Sequence, residues 1–102
     1  MKQDFSKKIV RFKKQEINQI MEVYSKKISI GEWKDYSISF KNDHAIFSIH
    51  KSFTHAPTFQ IKKNSNKKNY YSLFSQNNII KTSYNLKNLI KHLKRPSLKL
   101  VK

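Results

Sequence analysis

Two stretches with helical spacing bracket four short runs that alternate between apolar and polar residues. That order restricts the fold more than any other feature of the chain. Residues 14–28 place Ile17, Ile20, Met21, Tyr24 and Ile28 at i, i+3, i+4, i+7 and i+11, one stripe of an α-helix. Glu16, Asn18, Gln19, Glu22, Lys26 and Lys27 then fall on the opposite side. Acids come early and lysines late, as the helix dipole favours. Gly31, the only glycine, follows as a C-terminal stop.

Period-two alternation comes next. Tyr36, Ile38 and Phe40 alternate with Ser37 and Ser39. Ala45, Phe47 and Ile49 alternate with His44, Ser48 and His50, with Ile46 out of pattern. Phe59 and Ile61 alternate with Thr58, Gln60 and Lys62, and Tyr71 and Leu73 flank Ser72. Such runs predict half-buried antiparallel strands. Asn42–Asp43 is short enough for a hairpin, residues 63–69 form a polar loop, and Ile79–Ile80 is the candidate for a short fifth strand. A last helix opens at Ser83 as N-cap. It aligns Leu86, Leu89, Ile90 and Leu93, carries Lys87, Lys91, Lys94 and Arg95 on its outer side, and ends at Pro96.

The expectation is an α+β fold: an antiparallel sheet of four to five strands, with an N-terminal and a C-terminal helix on one face. The other face, with Ser37, Ser39, Ser48, His50, Gln60, Lys62 and Ser72, is expected to be wet. At 102 residues one core suffices. We expect a single domain over residues 12–95, a basic arm at 1–11 and a basic tail at 96–102. Within the arm, Ile9–Val10 either adds a short strand or packs as a staple before the first helix.

Charge limits the partners. The six carboxylates are Asp4, Glu16, Glu22, Glu32, Asp35 and Asp43, and from His44 onward twelve Lys or Arg meet no acid. A formal charge of +16 repels itself and favours a polyanion. Twenty of the 22 basic residues are Lys, and Asn and Ile are abundant. AT-rich coding imposes that profile, so part of the excess is composition rather than recognition. There is no cysteine, which excludes disulfides and thiolate zinc sites. No apolar run reaches the roughly 20 residues of a membrane span, and residues 1–11 lack the apolar centre of a secretory signal. A soluble cytoplasmic protein is expected.

At GEWKDY, residues 31–36, the chain resembles a small alphaproteobacterial family catalogued only as a domain of unknown function. The helix EINQIMEVY before the motif and DHAIFSIHKS after it extend the likeness to roughly residues 10–93. Gly31, Glu32, Trp33, Asp35, Tyr36, Ala45, Phe47 and Ser48 carry it. Lys34 stands where the family's GEWRDY has Arg. Lys13 and His55 stand where acids are expected, and Ser83 where a glycine is. The resemblance implies a compact fold and a bacterial cytoplasmic setting, and it implies no activity.

No residue pattern marks a reaction. Glu32 and Asp35 are closely spaced acids, but pairing with Lys34 or a nearby lysine, or capping a turn, explains them without a cleft. His44 and His50 share a strand face yet lie about 20 Å apart along it, too far for one ion. One glycine leaves no phosphate-cradling loop. We therefore assign no catalytic residue, no metal site and no cofactor. The basic clusters Lys62, Lys63, Lys67, Lys68 and Lys87, Lys91, Lys94, Arg95, with Tyr70, are the candidate nucleic-acid contacts, for RNA or DNA through its phosphates. Tyr70 and Phe74 share the parity opposite to Leu73 and are expected on the open side of the sheet. Arg scarcity argues against guanine reading in a groove. The alternative is a protein-interaction or regulatory adaptor that meets a partner, such as an acidic protein, at the GEWKDY surface: Gly31, Glu32, Trp33, Lys34, Asp35 and Tyr36. Trp33 either anchors such a contact or plugs the end of the core.

Overall fold

The computed structural model describes residues 9–51, 57–65 and 70–94. Helix α1 (Lys14–Ser29) leads into strands β1 (Asp35–Phe40), β2 (His44–His50), β3 (Phe59–Asn64), β4 (Tyr71–Ser75) and β5 (Asn78–Ser83), and α2 (Leu86–Lys94) closes the chain. The five strands form one antiparallel meander in sequence order. The fold is α+β, as the alternation predicts, and the Ile79–Ile80 pair has grown into a six-residue fifth strand.

Register decides what each face carries. Ile38, Phe47, Ile61 and Leu73 align across four strands on the helix-covered face. Phe47, Ile49, Ile61 and Leu73 are fully buried there, together with Ile20 and Val23 of α1 and Leu89 of α2. Each such side chain contributes about 1.5–3 kcal/mol by leaving water. Val10 packs against this core and its N–H donates to Lys41 O at 2.9 Å. Of the pair Ile9–Val10, Val10 packs before the first helix, one of the two expected roles, and Ile9 is exposed. Phe12 lies in the core, edge-on to Phe47 at 6.4 Å.

Helix α1 turns most of its apolar stripe inward: Ile20 is fully buried, and Ile17, Met21 and Tyr24 pack against the core. Its buried residues are Glu16, Ile20, Val23 and Lys27, while Ile28 is exposed. Glu16 and Lys27, expected on the opposite side, turn inward as well, where they meet Lys63 and Glu32. Its C-terminus follows the expectation. Gly31 adopts φ +80°, Gly31 N–H donates to Ile28 O at 3.0 Å and Glu32 N–H to Lys27 O at 2.9 Å. These are the two bonds of a Schellman stop, and the left-handed backbone suits glycine.

The start of α2 is corrected. Ser83 ends β5, and Asn85 is the cap: Lys87 N–H donates to Asn85 Oδ1 at 3.0 Å. Ser83 Oγ instead accepts from Asn85 N–H and from Asn88 Nδ2. Strands β4 and β5 join through Gln76 and Asn77, both at positive φ (51° and 72°), the backbone of a two-residue hairpin turn. A bulge follows, since Leu73 pairs with Lys81 and Phe74 with Ile79.

Candidate functional site

GEWKDY is the joint between α1 and β1. Gly31 makes the turn, which folds Glu32 back so that Lys27 Nζ donates to Glu32 Oε1 at 3.0 Å. Trp33 is 2% exposed, with ring centroids 6.0 Å from Tyr24 and 6.3 Å from Phe59. Lys34 N–H bonds to His50 O at 2.7 Å, tying the joint to the end of β2. Asp35 Oδ1 accepts its neighbour's N–H, from Tyr36, at 2.8 Å. Tyr36 stacks on Phe47 at 5.1 Å and 9°, with Tyr24 edge-on to it at 5.0 Å. Of the two roles weighed for Trp33, it fills the core plug. The exposed part of the motif is Gly31, Lys34, Asp35 and Tyr36.

The second constellation was not expected. Lys63 continues the inward alternation of Phe59 and Ile61 and is 3% exposed. Its ammonium donates to Glu16 Oε1 at 2.8 Å and to Arg11 O at 2.8 Å, and it lies over the Tyr70 ring at 5.6 Å. Tyr71 donates its hydroxyl to Glu16 Oε2, and Lys13 N–H reaches Glu16 Oε1 at 2.5 Å. Burial alone would raise the Glu16 carboxyl. The hydrogen bonds from Lys63, Tyr71 and the Lys13 backbone outweigh it and hold the group below its ordinary value. Burial, then the bond to Glu16 and its charge, push the Tyr71 phenol upward. Both shifts lead away from neutrality, opposite to what proton transfer at neutral pH asks of an acid or base. The chemistry of this network is cohesion: it fastens α1 to β3 and β4.

Two corrections follow for the basic clusters. Lys63 does not belong to an exposed loop, because β3 runs on to Asn64 and turns Lys63 inward. Tyr70 packs against the core, edge-on to Tyr71 at 4.9 Å, rather than facing the open side of the sheet. Lys62 does face that open side, half-buried. Lys67, Lys68 and Arg95 lie outside the described residues, as does His55.

Lys87, Lys91 and Lys94 are exposed, at i, i+4 and i+7 on α2, while Leu86, Leu89, Ile90 and Leu93 fill its buried side. The rise of a helix places the three ammonium stems within about 10 Å. Together with Gln19, Glu22 and Ile90 they line a groove of about 210 Å³ between the helices. The groove escaped the sequence reading because it depends on how α1 meets α2. Each helix shows its own stripe, and the spacing between stripes is a tertiary fact.

The sheet face away from the two helices holds a depression of about 200 Å³ lined by Ile46, Gln60, Lys62, Phe74 and Asn77. Phe74 lies on this side, as its parity predicts. Gln60 Nε2 donates to Ser48 Oγ at 3.2 Å. Ser72, expected to be wet, is 5% exposed, with Asn64 Nδ2 at 3.4 Å from its hydroxyl. In the β1–β2 turn the Asp43 carboxyl is held below its ordinary value, first by its hydrogen bond to His44 at 2.7 Å and more weakly by the charge of Lys62.

Among the described residues no three of His, Asp and Glu gather as metal ligands, and no helix is long and apolar enough to cross a membrane. No curated protein and no solved structure matches the chain. The sequence does match one family, over residues 10–90, a span that includes the joint, both halves of the buried network and most of α2. On that match the chain belongs to the family described as Protein of unknown function (DUF2794).

Proposed function

We propose that this chain is a non-enzymatic binding module that docks on nucleic-acid phosphates through the lysine row of α2. The observation that carries the reading is an asymmetry of compensation. Glu16 is consumed by Lys63 and Tyr71 inside the fold and Glu32 by Lys27, while the Asp43 carboxylate is hydrogen-bonded to His44. Lys87, Lys91 and Lys94 stand exposed, with Glu22 as the acid sharing their groove. Lysine supplies point charges without the planar fork that reads guanine, so the contact would be to phosphate with little sequence preference. Affinity would come from release of condensed counterions. A protein-partner surface at GEWKDY would have to rest on Lys34, Asp35 and Tyr36, since Trp33 is inside.

The test is a titration of labelled duplex DNA, single-stranded RNA and heparin across a salt series. Binding should weaken steeply as salt rises. The triple variant Lys87→Gln, Lys91→Gln, Lys94→Gln should flatten the slope of log K against log salt on duplex by about 2 to 3. Binding that ignores salt, or a triple variant that binds like the parent, would overturn the assignment.

A further inference from the structure

A sheet face left bare by both helices is usually polar throughout. Here the middle of that face carries Phe74, on β4, paired across to Gln60 on β3 and Ile79 on β5. Beside it lie Ile46 and Lys62, themselves cross-strand partners. The result is an apolar floor with a cation and two amides at its rim, in a depression of about 200 Å³. Ile79 is 60% exposed at the same edge, so apolar surface continues outward from the depression.

Each part has a match in the chemistry of an unstacked base. An aromatic ring on a sheet offers its face for stacking, which is tolerant of base identity. The Gln60 and Asn77 amides carry donors and acceptors suited to a base edge. Lys62 supplies a charge to a flanking phosphate. Among the described residues, the acids placed by register or turn near this face are Asp35, at the corner opposite His50, and Asp43, already engaged by His44. The centre of the face is therefore open to a polyanion. The shape also discriminates: a broad sheet face cannot enter a duplex groove about 12 Å wide, whereas a single strand can lay one base at a time upon it.

We infer that the sheet face away from the two helices seats a base of single-stranded nucleic acid, with Phe74 stacking beneath it and Lys62 on an adjacent phosphate. The inference rests on the nucleic-acid reading above and adds to it a preference for unpaired strands and a second contact surface, across the sheet from α2.

The experiment compares a labelled single-stranded RNA, a duplex DNA and heparin on the parent, Phe74→Leu, Lys62→Gln and the α2 triple variant. Phe74→Leu should lower single-strand affinity about tenfold and leave duplex and heparin binding unchanged. Lys62→Gln should lower it less and reduce its salt slope. Amide chemical-shift mapping on the unaltered chain gives an independent reading. Single-strand RNA should move resonances of Ile46, Gln60, Lys62 and Phe74, and heparin should not. Equal affinity for strand and duplex with no Phe74 effect would overturn this inference and leave the phosphate reading standing. No binding to any of the three polyanions would overturn both.

Discussion

Lys63 Nζ sits 2.8 Å from Glu16 Oε1, with both side chains in the interior and the two residues 47 positions apart in the chain. A pair this deep is costly to half-dismantle, because the surviving charge stays buried without compensation. Lys63→Met should cost about 3–5 kcal/mol of unfolding free energy in urea melts. Adding Glu16→Met should regain part of it by removing the orphaned carboxylate. A Lys63→Met chain within about 1 kcal/mol of the parent would show that the pair contributes no more than an exposed ion pair does.

The same network sets an acid limit. The folded Glu16 carboxyl titrates below its ordinary value, so its share of stability is fully present above the unfolded pKa of about 4.3. That share is lost as pH falls through the folded value. Tyr71 acts at the other end: its folded phenol is raised, so its share is present below about pH 10 and is lost as pH climbs beyond. Melting temperatures of Glu16→Gln should fall less between pH 6 and pH 3 than those of the parent. Tyr71→Phe should remove part of the alkaline loss.

The strands were legible because apolar and polar residues mostly alternate from Tyr36 through Leu73, with Ile46 on the outer face and Lys63 on the inner one as exceptions. The buried network was not, although its spacing was in view. Lys63 keeps step with Phe59 and Ile61, and Glu16 and Lys27 keep step with Ile20 and Val23. A charge at an inward position reads as the end of the pattern until its partner is known, and Glu16's partner lies three strands away. Parity alone placed Phe74 correctly, yet it misplaced Tyr70. Tyr70 lies just before β4, and its ring sits 5.6 Å from the Lys63 ammonium.

Gly31 isolates a backbone effect. A Cβ built there meets nothing within 4 Å, so substitution costs only what the left-handed backbone at φ +80° imposes. Gly31→Ala should therefore lose about 1–2 kcal/mol, and Gly31→Asn less, since Asn visits this region more readily. If Gly31→Ala matched the parent in urea midpoint, the joint would be adjusting its turn rather than holding it.

Asn85 bears the α2 cap that sequence alone assigned to Ser83. Asn85→Ala removes the acceptor for Lys87 N–H and should cost about 1 kcal/mol. Ser83→Ala removes an acceptor shared by Asn85 N–H and Asn88 Nδ2 at an exposed site, and should cost less. The order of the two losses in denaturant melts checks which residue caps the helix. A larger loss for Ser83→Ala would reverse the assignment.

Glu22 offers the sharpest check on where a polyanion lands. It lines one wall of the groove whose other wall carries Lys87, Lys91 and Lys94. It is exposed, so its removal should change fold stability by little. Its charge nonetheless acts on any phosphate held by those lysines, at separations shorter than the Debye length of about 10 Å in 0.1 M salt. Glu22→Gln should therefore raise polyanion affinity severalfold at low salt, by about 1 kcal/mol at a few ångströms in water. The gain should shrink as salt is added. Glu22→Lys should raise affinity further and steepen the salt slope by close to one counterion. Because neither variant removes a lysine, a gain cannot be a by-product of damage to the fold. Affinity indifferent to both substitutions would move the contact off α2, and the loss on Phe74→Leu would then decide whether the sheet face away from the helices carries it alone.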